Sequence, residues 1–126
     1  MDKAKSIQLF FRSERPESKV LRALEQLIGI AVECTDIPVP DAVGFAQFTQ
    51  YAEGFEQSIL VSWPSSVSVV LDEINLVEGL ANRLKTEVLL ESIKIPDRWL
   101  LARENGGATD VQVRYLDDGI ELESNP

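Results

Sequence analysis

The order of elements in the sequence (strand, helix, several strands, helix, several strands) predicts an α+β fold: a mostly antiparallel sheet with two helices packed on one face. Three observations carry this. Apolar residues alternate at period two in several short runs, they switch to helical spacing in two stretches, and turn residues divide the runs. A strict βαβα alternation is missing, which argues against a Rossmann-type nucleotide fold. The 126 residues contain no internal repeat and no low-complexity linker, so they read as a single globular domain, residues 1–126.

Ser6 to Arg12 reads as the first strand, with Ile7, Leu9 and Phe11 on one face and Phe10 on the other. Pro16 suits the first turn of a helix in which Val20, Leu21, Leu24, Leu27 and Ile28 repeat at helical spacing, and Gly29 supplies its stop. Ile30, Val32 and Cys34 alternate as a half-buried strand, ended by Pro38 and Pro40, which have no N–H for a ladder. Val43 to Tyr51 and Ser58 to Trp63 form paired strands around Gly54, with Ile59, Val61 and Trp63 on one face. In the first of these strands Phe45 and Tyr51 share a face and Phe48 takes the other, so one aromatic face is left for solvent or a partner.

Between Pro64 and Glu73 two periods compete. Val67, Val69 and Leu71 alternate as in a strand, whereas Val70, Ile74, Val77, Ala81, Leu84 and Val88 step as in a helix. A helix from about Asn75 to Lys85 is expected, with Asn75 and Glu78 at capping-box spacing and Gly79 as a weak point. Glu87 to Ser92 follows as a strand. Asn105-Gly106 between Arg98–Arg103 and Asp110–Leu116 signals a hairpin, and the turn Asp117-Asp118-Gly119 folds Ile120 to Leu122 back as a short edge strand.

The charges are unevenly placed. From Ala23 to Asn82 there is no Lys or Arg, yet the stretch holds nine carboxylates, and the chain as a whole carries a formal charge of −9 with no histidine. A one-signed region of this kind repels nucleic acid and anionic lipid and attracts basic surfaces. The N-terminal residues lack the apolar run of a signal peptide, and no segment reaches the ~20 apolar residues needed to span a bilayer. Cys34 is the only cysteine, which excludes an intrachain disulfide and fits a reducing compartment. A cytoplasmic protein bound neither to membrane nor to nucleic acid is the expectation.

Catalytic chemistry finds little footing. Without histidine there is no Ser-His-Asp or Cys-His triad, and one cysteine cannot build a zinc site. No Walker loop or dinucleotide-binding glycine turn is present. The pairs Glu53/Glu56, Asp72/Glu73 and Asp117/Asp118 could serve as acid and base, but each sits where turns and caps already favour acidic residues. Asp117 to Glu123 lacks the spaced oxygen ligands of an EF-hand loop. Cys34, between Glu33 and Asp36 on an apolar side, reads as a packing residue. The sequence therefore predicts neither enzyme activity nor a metal or other cofactor.

What remains is a small, acidic domain suited to protein–protein interaction. In size and charge, and in no motif, it is similar to small bacterial immunity proteins, which block a toxin by covering a cationic surface. That resemblance implies inhibition of a basic toxin or nuclease partner by electrostatic complementarity, with aromatic anchors. The expected partner-binding residues are Asp36, Asp41, Glu53, Glu56, Asp72 and Glu73, with Phe48, Tyr51 or Trp63 as the anchor. Trp63, beside Pro64 at a strand end, is expected to be partly exposed. Two other classes fit the same composition: a secretion chaperone or assembly adaptor that accepts a client segment by β-augmentation at the exposed face of one hairpin strand, and a non-catalytic small-ligand domain. The sequence leaves the oligomeric state open.

Overall fold

The computed structural model describes residues 4–34, 41–69 and 71–123. In chain order the elements are β1 (Ala4–Phe11), α1 (Glu17–Ile28), β2 (Val32–Glu33), β3 (Gly44–Gln50), β4 (Glu53–Gly54), β5 (Gln57–Pro64), α2 (Glu73–Leu84), β6 (Val88–Glu91), β7 (Trp99–Ala102), β8 (Ala108–Val111), β9 (Val113–Leu116) and β10 (Gly119–Leu122). Seven strands form one sheet in the order β2-β3-β5-β1-β6-β7-β8, and β4-β10-β9 form a smaller one. Among the described residues only β2–β3 and β4–β10 pair in parallel. The fold is α+β, as the element order predicts.

Strand parity divides the core in two. Ile7, Leu9 and Phe11 of β1, Ile59, Val61 and Trp63 of β5, Val88 and Leu90 of β6 meet the apolar stripes of both helices. Phe10, Leu89, Trp99 and Leu101 point the other way and are covered by Phe55 and Ile120, brought in by the small sheet. The molecule is thus layered as helices, large sheet and small sheet. Burial of large aliphatic and aromatic side chains, worth about 1.5–3 kcal/mol each, drives both interfaces.

Helix ends follow local chemistry. Gly29 takes a left-handed conformation after α1 and donates its N–H to Glu25 O. α2 starts earlier than expected: Asp72 is its N-cap and accepts from the Asn75 N–H, so Asn75 is a first-turn residue. Glu78 does not cap either; its carboxylate accepts the Ala108 N–H of β8 at 2.8 Å. The earlier start is fixed by Glu73, which is buried and bonded across to the β6–β7 loop. At the far end Arg15 donates to Leu84 O and Lys85 O, satisfying carbonyls that α2 leaves unpaired. Gln57, also buried, holds Arg15 in place by exchanging two bonds with its backbone.

Three other expectations change. The strand around Val32 is short and pairs with β3, while Pro38, Pro40 and Val70 lie outside the described residues. The second strand of the Asn105-Gly106 hairpin breaks at Gln112, whose carbonyl accepts from Glu123, so the chain passes there from the large sheet to the small one. The strand Gly119–Leu122 is no edge: it is the middle strand of the small sheet, between β4 and β9.

Candidate interaction surface

The small sheet is fastened to the large one by Arg12, just beyond β1. Its guanidinium lies 4.0 Å from the centroid of the Phe55 ring, with Nε 3.0 Å from Glu87 Oε1 and Nη1 2.7 Å from Glu121 Oε2. Glu87 also accepts from Arg103 Nε at 2.9 Å. The hydrogen bond from Arg12 holds the Glu121 carboxyl below the ordinary value near 4.5, and the same pair raises the Arg12 pKa. A depressed carboxylate contributes stability above its unfolded pKa and loses it as pH falls through the folded value. Acid titration of stability is therefore expected to show a component below about pH 4.5 that Glu121→Gln removes, measured as denaturation midpoint against pH.

Beside this clamp the fold collects carboxylates from three segments. The Ala52 N–H donates to Asp118 Oδ2 at 3.0 Å and the Glu53 N–H to Asp118 O at 3.2 Å. The Glu14 N–H donates to Glu56 Oε1 at 2.8 Å. Glu14, Glu53, Glu56, Asp117 and Asp118 are all exposed and share this end of the molecule. Of the nearby cations, Arg12 is paired with Glu87 and Glu121 and Arg15 bonds the end of α2, while Arg114 of β9, opposite Glu121, is exposed. Tyr115, two residues before Asp117, is 75 % exposed.

The residues expected to bind a partner do not form one face. Glu53 and Glu56 belong to the acidic end. Asp41 precedes β3 and Asp72 caps α2, both at the opposite end of the sheet, about 20 Å away along β3. Asp36 lies outside the described residues. Glu73 is only 6 % exposed; its two oxygens accept from Ser92 Oγ at 2.7 Å and the Ile93 N–H at 2.8 Å, and it cannot reach a partner. Trp63 is corrected likewise: it is 3 % exposed, because its parity with Ile59 and Val61 turns it under the helices. Phe48 is half-buried against the helix-side core, and Tyr51 rests on Phe10 with its hydroxyl 2.9 Å from Ser58 Oγ.

Sequence reasoning did not assign Glu14, Asp117, Asp118 and Tyr115 to the surface. The Asp117-Asp118 pair is visible in the sequence, but its meeting with Glu53 depends on the parallel β4–β10 contact between segments some sixty-six residues apart. No spacing rule reaches that far.

Two further surfaces accompany the acidic end. On the helix-free side of β3, β5 and β1 the rows Phe45–Ser62–Ser6, Gln47–Leu60–Gln8 and Thr49–Ser58–Phe10 contain no charged residue. A cleft of about 830 Å³ passes Arg98, Trp99, Arg103 and Asp110, but Arg98 is paired with Asp110 at 2.6 Å and Arg103 with Glu87. Among the described residues no three His, Cys, Asp or Glu side chains gather to hold a metal, and no helix is long and apolar enough to cross a membrane. No family model matches the chain, and no curated protein or solved structure matches it.

Proposed function

We propose that this protein works by binding, without catalysis, and that its acidic end docks onto a basic surface of a protein partner. The reading at its most specific is an immunity-type inhibitor of a bacterial toxin or nuclease, acting in the cytoplasm, where Cys34 stays reduced. The observation that supports it is the convergence of Glu14, Glu53, Glu56, Asp117 and Asp118 beside Arg12, whose charge is already met by Glu87 and Glu121. Such a patch would steer a cationic partner and occupy the Lys and Arg that otherwise hold a substrate's phosphates. Tyr115 supplies an aromatic contact beside it.

The test is capture of a partner followed by titration calorimetry with the wild-type chain and a Glu53→Lys/Glu56→Lys variant. The reversal is expected to weaken binding about tenfold to a hundredfold and to flatten its salt dependence. Both side chains are exposed, so the thermal midpoint should move little. A partner without a basic surface, or binding unchanged by the reversal, would contradict the proposal.

A further inference from the structure

We propose that the groove between α1 and α2, lined by Lys19, Arg22 and Arg83, receives the acidic end of a second copy of this chain. The proposal rests on the reading of that end as a docking surface and names a further ligand for it.

Helix packing builds the groove. Lys19, Arg22, Ala23 and Gln26 form a stripe along α1, at spacings of three and four residues. The two helices run antiparallel: Arg15, before α1, bonds the Leu84 carbonyl at the end of α2, and Leu27 lies against Gly79. Arg83 and Leu84 therefore face that stripe, and the groove between them holds about 320 Å³. Arg22 is the last cation before the long stretch without Lys or Arg, and Arg83 is the first after it. The fold brings both borders of that stretch together.

The cations of the groove are uncompensated. Arg12, Arg98 and Arg103 pair with carboxylates, and Arg15 and Lys94 bond carbonyl oxygens. The side chains of Lys19, Arg22 and Arg83 are exposed and have no hydrogen bond or ion pair among the described residues. No described carboxylate lines the groove. Those of the two helices are turned elsewhere: Glu17 toward Cys34, Glu25 to the Val32 N–H, Glu73 to Ser92 and Glu78 to the Ala108 N–H. Lys19 and Arg22, about one turn apart, repel each other, and an anion in the groove relieves them.

Charge and extent decide the occupant. A long polyanion such as nucleic acid, or a membrane of anionic lipid, would overrun the groove and meet Glu14 and Glu17 on a chain of formal charge −9. A short acidic surface meets the three cations alone. The chain carries such a surface in Glu14, Glu53, Glu56, Asp117 and Asp118, all exposed. Tyr115 beside them, 75 % exposed, offers a ring to the guanidinium groups and alkyl stems of the groove. Each exposed charge pair contributes little, so the association is weak, reversible and sensitive to salt. A second copy and a cationic partner compete for the same carboxylates.

The test is sedimentation equilibrium of the full chain over a range of concentration and salt. Average mass is expected to rise with concentration at low ionic strength. It should return to that of the monomer in about 1 M salt, where the Debye length is about 3 Å. Arg22→Glu/Arg83→Glu should lower the association constant about tenfold, and so should Glu53→Lys/Glu56→Lys. An equimolar mixture of these two variants should associate again, because each reversed surface then faces its complement. Lys5→Glu changes the net charge as Arg22→Glu does but lies at the far end of β1, so only Arg22→Glu should weaken association. If reversal at Arg83 frays the end of α2, Lys19→Glu/Arg22→Glu keeps the test on α1.

A chain that stays monomeric at low salt and millimolar concentration, association that both reversals leave unchanged, or a mixture that fails to restore it would overturn the proposal. So would a monomer whose groove amides shift on addition of anionic vesicles or a short DNA duplex. Failure of the groove is separable from failure of the acidic end. Partner binding lost with Glu53→Lys/Glu56→Lys but kept by Arg22→Glu/Arg83→Glu, in a chain that never self-associates, keeps the docking surface and removes the second copy.

Discussion

Replacing Gly54 with alanine is expected to unfasten the small sheet, at a cost of about 3 kcal/mol. Gly54 sits at φ +69°, and a Cβ there would lie 2.0 Å from the carbonyl oxygen of Ile120. That oxygen accepts the Phe55 N–H, so it cannot retreat without breaking the β4–β10 pair. The two tryptophans give separate readouts: Trp99 lies in the core under the small sheet and Trp63 in the core under the helices. Gly54→Ala should redden Trp99 emission and lower the melting midpoint by roughly 10 °C, while Trp63 keeps its buried environment until global unfolding. Single-tryptophan backgrounds separate the two signals. Gly79→Ala is the contrast. Its Cβ would come within 2.7 Å of Leu27 Cδ2, the far end of a flexible side chain, and the gain in helix propensity of about 1 kcal/mol offsets the adjustment. Near-neutral stability is expected there.

Phe55→Ala should cost about 3–5 kcal/mol. The ring is fully buried at the centre of the second core, among Phe10, Leu89, Trp99, Leu101 and Ile120. Truncation leaves a cavity between two sheets whose backbones are fixed by pairing, so the site can collapse only slightly. It also takes from Arg12 the aromatic face on which its guanidinium rests. Phe55→Leu, which keeps most of the volume but not the ring, should recover more than half of the loss in chemical denaturation. Because Arg12 also holds Glu121, the alanine variant should weaken the acid dependence attributed to that carboxylate.

The parts of this fold that depend on neighbours in sequence are readable from the residues. The parity of β1, with Ile7, Leu9 and Phe11 opposed to Phe10, follows from alternation alone, and α1 with its Gly29 stop follows from helical spacing. Both hairpins announce themselves through Gly54 and Asn105-Gly106. The N-terminus of α2 is less legible, because Asp72 and Asn75 are both good caps. The choice between them is made by the burial of Glu73 against Ser92 and Ile93, a contact nineteen and twenty residues distant. Trp63 misleads for a related reason: an aromatic residue beside a proline at a strand end looks terminal, but the sheet continues to Pro64, which pairs with Ala4.

The same limit governs the candidate site. Glu53 and Glu56 stand out in a stretch free of Lys and Arg, yet nothing local ties them to Asp117, Asp118 or Glu14. Nor does charge counting separate Asp41 and Asp72, which the fold carries to the opposite end. An uneven distribution along the chain thus becomes a smaller and differently composed surface in space. Electrostatic attraction at its exposed carboxylates would act mainly on association rate and would weaken with salt.

The acidic end can be tested without knowledge of the natural partner, by titrating isotopically labelled full chain with a short polylysine and mapping amide shift changes. The account predicts changes gathered at Glu14, Glu53, Glu56, Asp117 and Asp118, reversed by salt at ionic strengths where the Debye length falls to a few ångströms. Shifts spread evenly over all exposed carboxylates, or centred on Asp41 and Asp72, would contradict it.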